Sequence, residues 1–450
     1  MMMNQIYNCW WGKGRWYGVG GHRIKNPEPL DKQCIKVIVA ESKANGLAGK
    51  RISRLFKLPN AILVKVFDEM ADHNMLRNSL YLELQDPILF IKIFRLNSLV
   101  VHRIIKELTL AQKPIVLKLV DNYITQMKKE SKNMPESVDL VDRVAIGLEL
   151  GAYLYDYGWW DYAILLLEYV RTLLSLIKDD GQRKKFELRC LQQSLQVQGI
   201  SLKECADCTF KLLHSMIATI DDKNTKIKTY LLFSRYFYNR KLHDKSHQWN
   251  LKALNLMDEF SPSEDLIEIL QLMALFCCSK ESYAIGNELI SQAMKRGRTH
   301  YGSLDRRYAD VIESYGFCLL EMDAFSRYVS IFMEQLDIIT RIYGLTSPHV
   351  PMIMSWLAYG LYMKSHTANR FDMAEDQIRK AIDLAEELQP ERTGLIYKFK
   401  EMRTMIQKGH DPKMAAIIER EPKKAFDFEC LNFAEIRAKY LEFDASIQRR

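Results

Sequence analysis

Glycine and proline are scarce in these 450 residues, at 20 and 12. Sandwiches and barrels need turn residues every few positions, so this scarcity excludes an all-β architecture and favours helices. Long apolar runs are also lacking. Ile342 to Met363 contains no Asp, Glu, Lys or Arg, but Pro348 and Pro351 interrupt it. What remains, Met352–Met363, is too short to span a bilayer and reads as a buried helix. Met1 to Gly21 holds no continuous apolar segment, so no secretory leader is expected. The nine cysteines are odd in number and scattered. That usage fits reduced thiols in the cytoplasm or nucleus rather than a disulfide framework.

Recognisable catalytic chemistry is missing too. The chain has no phosphate-binding Gly-Lys loop and no nucleophile elbow. Cys205-x-x-Cys208 has no second pair and falls in a helical pattern, where packing is expected. His243-x-x-x-His247 lacks the neighbouring glutamate of a zinc hydrolase. Trp159-Trp160, at a helix turn, is expected to pack one repeat on the next. No metal, no cofactor and no enzymatic activity are expected.

The formal net charge of +8 would suggest nucleic acid if it were spread along the chain. Residues 1–60 hold 11 Lys/Arg against 3 Asp/Glu, and the other 390 residues hold 53 of each. The basicity is therefore local. Residues 1–26 mix Tyr7, Trp10, Trp11, Trp16 and Tyr17 with Lys13, Arg15 and five glycines. Such sequence can stack on single strands, but nothing later supports nucleic-acid binding, and a disordered tail is expected.

From residue 27 to 130 the pattern is helical. Leu30, Cys34 and Ile38 fall at i, i+4 and i+8, one narrow helical stripe with a small residue at its centre. Such a stripe is also what an ordinary amphipathic helix turns to its core. Twenty-four residues after Cys34, Leu58-Pro59-Asn60-Ala61-Ile62 starts a second helix, with Val66 and Met70 continuing its apolar face. Asp86-Pro87 reads as an N-cap and first-turn proline. Pro114 is expected to start a further helix, and residues 128–137 to form a linker.

A repeat begins near residue 141. In a tetratricopeptide helix pair a small residue on the first helix is followed, 12 positions later, by one on the second, where the two cross closely. Gly151/Ala163, Ser234/Ser246 and Ala274/Gly286 follow that rule, with Gly158 in a turn and Ala293 two turns further along the helix of Gly286. Gly316 is followed by Tyr328 and Val329, a degenerate second helix, and Ala358 pairs with Ala374 and Ala381 after a four-residue insertion. The second-helix anchors lie at 163, 206, 246, 286, about 329 and 374, spaced by 43, 40, 40, 43 and 45. Near-constant spacing over six units predicts an α-solenoid over 141–390 with longer helices or loops than a 34-residue repeat. Residues 391–450 are expected to supply a closing helix or tail, since a solenoid needs a polar end.

Several segments carry a resemblance: Leu148–Leu154, Tyr157-Gly158-Trp159, His300-Tyr301-Gly302-Ser303, Ser314-Tyr315-Gly316-Phe317, Tyr343-Gly344 and Arg370-Phe371-Asp372. In these the chain resembles the amyloid protein-binding protein 2 family, sparsely before residue 140 and densely from 300 to 382. The resemblance implies an all-α protein: N-terminal elongin- and cullin-box helices, then a tetratricopeptide α-solenoid like that of kinesin light chains. It implies a substrate receptor of a cullin-2 ubiquitin ligase that binds protein targets by their C-terminal tails. Leu30, Cys34 and Ile38 would then meet elongin C, which is joined to elongin B, and Leu58, Pro59 and Ile62 would meet the cullin. Ala61 stands where cullin-5-type boxes carry a second proline, which favours cullin-2. The family also implies an alternative, an adaptor linked to microtubules or kinesin that carries a transmembrane cargo tail. The family's chain is longer; here the pattern fades after Gln389.

Overall fold

Helix is the only regular structure among the described residues of the computed structural model. Those residues are 30–44, 58–74, 76–111, 113, 115–130, 138–201, 205–368, 371–409, 411–424 and 428–449. The chain divides into two compact units, Met1–Tyr123 and Ile124–Arg450. The tail read from residues 1–26 lies outside the described residues, as does Pro114.

The first unit holds α1 (Leu30–Ala44), α2 (Asn60–Ala71), α3 (Arg77–Leu84), α4 (Pro87–Leu96), α5 (Ser98–Leu110) and most of α6 (Val116–Glu130). Asp86 caps α4 by accepting from the Ile88 and Leu89 amides at 2.9 and 3.3 Å, with Pro87 in the first turn. Asn97 does the same for α5 through the Val100 amide. The core gathers Leu63, Phe67, Phe90, Ile104 and Leu108, all fully buried. The face of α2 differs from the sequence expectation. Leu63, Val66, Phe67 and Met70 point inward, whereas Ile62 sits half-buried at the edge.

The second unit is a solenoid of helix pairs: α7 (Val138–Tyr157) with α8 (Trp160–Leu174), α9 (Asp180–Ser201) with α10 (Ala206–Ile217), and α11 (Lys223–Asn239) with α12 (His243–Leu256). Next come α13 (Ser263–Ser279) with α14 (Tyr283–Tyr301), α15 (Arg306–Glu321) with α16 (Phe325–Tyr343), and α17 (His349–Ala368) with α18 (Asp372–Leu388). The long period comes from the helices themselves, which reach 22 residues in α9. After Gln389, where the sequence pattern fades, α19 (Thr393–Gln407) still packs on α18.

Small residues stand where paired helices cross. A Cβ on Gly151 would come within 2.8 Å of Leu167 Cδ2, and one on Gly286 within 2.6 Å of Cys278 Sγ. Ser234 and Ser246 hydroxyls bond each other at 2.9 Å. Ala163, Ala274, Ala293, Ala358, Ala374 and Ala381 are fully buried. The degenerate fifth pair has a physical explanation. The bulk moved rather than vanished: Phe332 of α16 lies against Gly316, and Tyr328 lies against Gly360 of the next helix, where a Cβ would collide with its ring.

The turns inside four pairs share one geometry. Gly158, Lys241, Glu281 and Asp323 all have positive φ, at 91, 60, 60 and 55°. In each, the amide of that residue bonds a carbonyl three residues back and the next amide bonds one five residues back, as in Glu281→Cys278 and Ser282→Cys277, both 2.9 Å. Only the first uses glycine, so three of these left-handed caps are invisible to a search for glycine punctuation.

The solenoid closes on itself. Tyr157, at the end of α7, donates its hydroxyl to the Tyr343 carbonyl at 3.1 Å, and its ring packs edge-on against Tyr343 at 4.5 Å between centroids. Ser347 donates back to the Tyr157 carbonyl. Trp160 lies edge-on to His349, and the Arg392 guanidinium sits over the Trp160 ring while pairing with Asp161 at 3.3 Å. Helices of the first pair thus meet the fifth and sixth across 186 residues of chain. Gly158 sits at this seam, where a Cβ would come within 3.0 Å of the His349 ring.

The end of the chain does not extend the array. After α20 (Pro412–Ala415) it turns back over the second helices in reverse order, reaching α16, then α14, then α12. It ends in α21 (Phe433–Gln448), started by a full capping box between Asn432 and Glu435. Ile436, Tyr440 and Phe443 of α21 are buried.

Candidate functional site: the closed cavity

Closure turns the inner face of the solenoid into a cavity of about 920 Å³. Its walls are chiefly the first helices of the six pairs, α7, α9, α11, α13, α15 and α17, with Trp160, Tyr301, Gln335 and Ile339 added from second helices. That size is in the range of sites that hold a drug-sized ligand. The lining is polar for so deep a position. Arg235 pairs with Glu268 at 3.1 Å, Arg307 with Glu264 at 2.9 Å, and Arg306 with Asp310 one turn along its own helix. Ser314 donates to Gln271 at 2.9 Å, and Gln335 donates to Glu313 at 3.0 Å. The apolar part of the wall comes from Phe317, Ile353 and Trp356.

Other charges in the cavity are less well served. Burial pushes the Glu313 carboxyl up to about 7, helped by Asp310 and opposed by Arg306. Burial likewise raises Asp156 and Asp265 to about 6. The Asp156 side chain opens to the cavity space yet has protein all round it, which is why its charge is disfavoured. Burial drives His349 well below its ordinary value, with Arg306 adding to the effect. Its Nε2 lies 3.0 Å from the Asp156 carbonyl oxygen, so a neutral ring with hydrogen on Nε2 satisfies the contact.

Trp160 Nε1, Gln193 Oε1, Asp265 Oδ2 and Gln335 Oε1 are buried in this wall and find no hydrogen-bond partner among the described residues. Buried polar atoms normally have one, so the wall can bind more polar groups than the chain provides. Arg189 and Lys228 line the same space and form no ion pair among the described residues. In the sequence these groups sit on helices marked only by their packing pattern. Trp160 belongs to both the seam and the cavity wall. The signal available in the sequence was the run of glutamines on α9, at 192, 193 and 196, an unusual load of amides for a packing helix.

The other sequence candidates lie elsewhere. The side chains of Leu30, Cys34 and Ile38 lie outside the described residues, although their backbone is part of α1. On the same helix Ile35 and Val39 are buried and Val37 is exposed. Pro59 and Ala61 are exposed, and Leu58 and Ile62 half-buried, at the start of α2. Cys205 and Cys208 do not pack as expected: both are exposed, at the start of α10. His247 is buried and bonded to Tyr440 and Asp444. Among the described residues no group of His, Cys, Asp or Glu could hold a metal ion, and no helix is long and apolar enough to cross a membrane.

No protein-family model matches the chain. It is 24% identical over 267 residues to amyloid protein-binding protein 2 of rat and of mouse, a match covering 58% of this chain and 46% of each relative. The chain thus spans about half the length of those relatives. A solved structure of a signal-transduction ATPase with a tetratricopeptide repeat sensor, from Pyrococcus horikoshii, matches at a TM-score of 0.37 and 12% identity, over 87% of this chain and 53% of that one.

Proposed function

We propose that this protein is a non-catalytic recognition subunit of a cullin-2–elongin B/C ubiquitin ligase and that it holds target proteins in the closed cavity. A tetratricopeptide-type scaffold presents surfaces to protein partners, and that much rests on the fold. The ligase reading rests on the distant likeness to amyloid protein-binding protein 2 and on α1 and α2. The observation that carries it is at the start of α2. Pro59, Ala61 and Ile62 are left at the surface while the core takes Leu63, Val66 and Phe67. That leaves an apolar edge for a cullin, and Leu30, Cys34 and Ile38 would serve elongin C. The cavity suits a chain terminus, which would bring one negative charge to its cations unpaired among the described residues. Arg189 and Lys228 would grip a terminal carboxylate, and the unpartnered amides would meet the main chain. Cytoplasmic or nuclear residence follows from this role.

Co-purification with elongins B and C tests it. Capture by the wild-type chain, lost in Leu30→Asp/Cys34→Asp, is the expected result. Absence of capture by folded wild-type protein overturns it. The second reading, a microtubule-linked adaptor for a membrane cargo tail, would then stand. That adaptor would bind its cargo regardless of the two substitutions.

A further inference from the structure

The returning tail is held in an unusual way. Of the described residues from 416 to 432, none is buried, and Ile418 is 85% exposed. This stretch is attached by its main chain. Arg327 of α16 donates to the Pro422 and Lys423 carbonyls at 2.6 and 2.7 Å. Asn287 of α14 donates to the Lys423 carbonyl at 3.1 Å. One turn and a half further along α14, the Gln292 amide grips the main chain twice: it donates to the Glu429 carbonyl and accepts from the Leu431 amide. Arg296 donates to the Leu431 carbonyl. Asn287 and Gln292 are 4% and 0% exposed, so the tail buries two amides that would otherwise face water.

A side-chain amide that both donates to and accepts from a passing backbone recognises a chain without reading its side chains. We propose that the outer strip formed by Asn287, Gln292, Arg296 and Arg327 is a second chain-binding surface, separate from the cavity. Its occupant in trans is a non-helical partner segment led by an acidic residue, and residues 419–424 and 428–431 are its resident competitor. The acidic lead follows from Glu419. Its carboxylate accepts from the Ser326 amide and hydroxyl in the first turn of α16, where a negative charge is favoured. The two arginines extend that preference along the strip. The tail holds its place through α21, where Tyr440 and Asp444 bond the two ring nitrogens of His247 at 2.6 and 2.7 Å and Lys439 pairs with Glu288 at 2.6 Å. Tethering makes the local concentration of this competitor high, so the strip is occupied until that anchor loosens.

The test uses the full chain with Phe443→Ala and Asp444→Ala, which loosens its own α21, and labelled peptides added in trans. One peptide copies residues 417–448; the other carries alanine at exposed positions 418, 424, 429 and 430. Both peptides are expected to bind with affinities within about threefold of each other, because the strand contacts are to main chain, and both about tenfold or more tighter than to the wild-type chain. Adding Gln292→Ala is expected to weaken both by about tenfold. Indifference to Gln292→Ala, or failure of either peptide to bind, would overturn the proposal. Loss confined to the alanine-bearing peptide would overturn it as well, since the strip would then fit only this chain's own tail. If circular dichroism shows the double variant unfolded, Asp444→Asn alone gives the same readout.

Discussion

Two seams join distant parts of the solenoid, and they are built differently. The closure seam joins Tyr157 to Tyr343 and Trp160 to His349 through buried aromatic rings and three bonds to carbonyls. The tail seam joins α21 to α12 and α14, with its strand lying exposed on the surface. The first bridges 186 to 193 residues of chain and the second 151 to 197. The first is part of the folded core, because the cavity's walls meet there. The second covers a finished surface. Local opening should therefore separate them: tail release is a sub-global event, whereas seam opening moves whole helix pairs.

Breaking the closure seam should have the largest effect. Tyr157→Ala removes a ring that is 2% exposed, together with its bond to the Tyr343 carbonyl, so a loss of about 3–5 kcal/mol is expected. Denaturant unfolding followed by circular dichroism checks it. A loss under about 1 kcal/mol would mean that the array holds its curvature without closure. The equivalent change in the tail, Tyr440→Ala, should leave the global midpoint nearly in place but speed proteolysis between residues 416 and 432. If both variants shifted the midpoint equally, the contrast between the seams would be lost.

The seam and the cavity should also respond oppositely to pH. His349 is held below its unfolded value of 6.5, so its contribution is complete above that pH and is lost as pH falls toward the folded value. Glu313 is raised from 4.5 to about 7, so its contribution is present below 4.5 and is lost as pH rises through 7. Glu313→Gln should accordingly stabilise the protein at pH 8 by about 1 kcal/mol, the carboxylate being partly screened by the cavity space, and change little at pH 4. Thermal melts at the two pH values decide it. An equal effect at both would show that the carboxyl ionises freely.

How much of this was legible beforehand depends on what each feature leaves in the sequence. Small residues at helix crossings leave a spacing, so the solenoid could be read from Gly151/Ala163 through Ala358/Ala374. Where bulk was exchanged between helices, as Tyr328 against Gly360, the spacing failed although the packing did not. The cavity left no periodic mark, because its polar groups come in small sets from many helices and are joined only by closure. The tail was legible as a closing helix but not as a strap. Its strand is bound through backbone atoms, which every sequence supplies alike.

The smallest expected effect tests the turns that lie under the tail seam and inside the array. Lys241, Glu281 and Asp323 hold the left-handed conformation that Gly158 adopts at the closure seam. An L side chain in that region costs about 1–2 kcal/mol, partly offset because glycine has more freedom to lose on folding. The Asp323 carbonyl also accepts from the Arg420 amide of the tail at 3.2 Å, so its substitution would mix two effects. Glu281 avoids that. Glu281→Gly should stabilise the array by about 0.5 kcal/mol, read from a small rise in the denaturant midpoint at unchanged slope. A destabilisation would mean that the Glu281 side chain supports its turn by contacts that outweigh the backbone strain. The left-handed cap would then be fixed by the two amide–carbonyl bonds to Cys278 and Cys277 together with the residue that occupies it, not by the bonds alone.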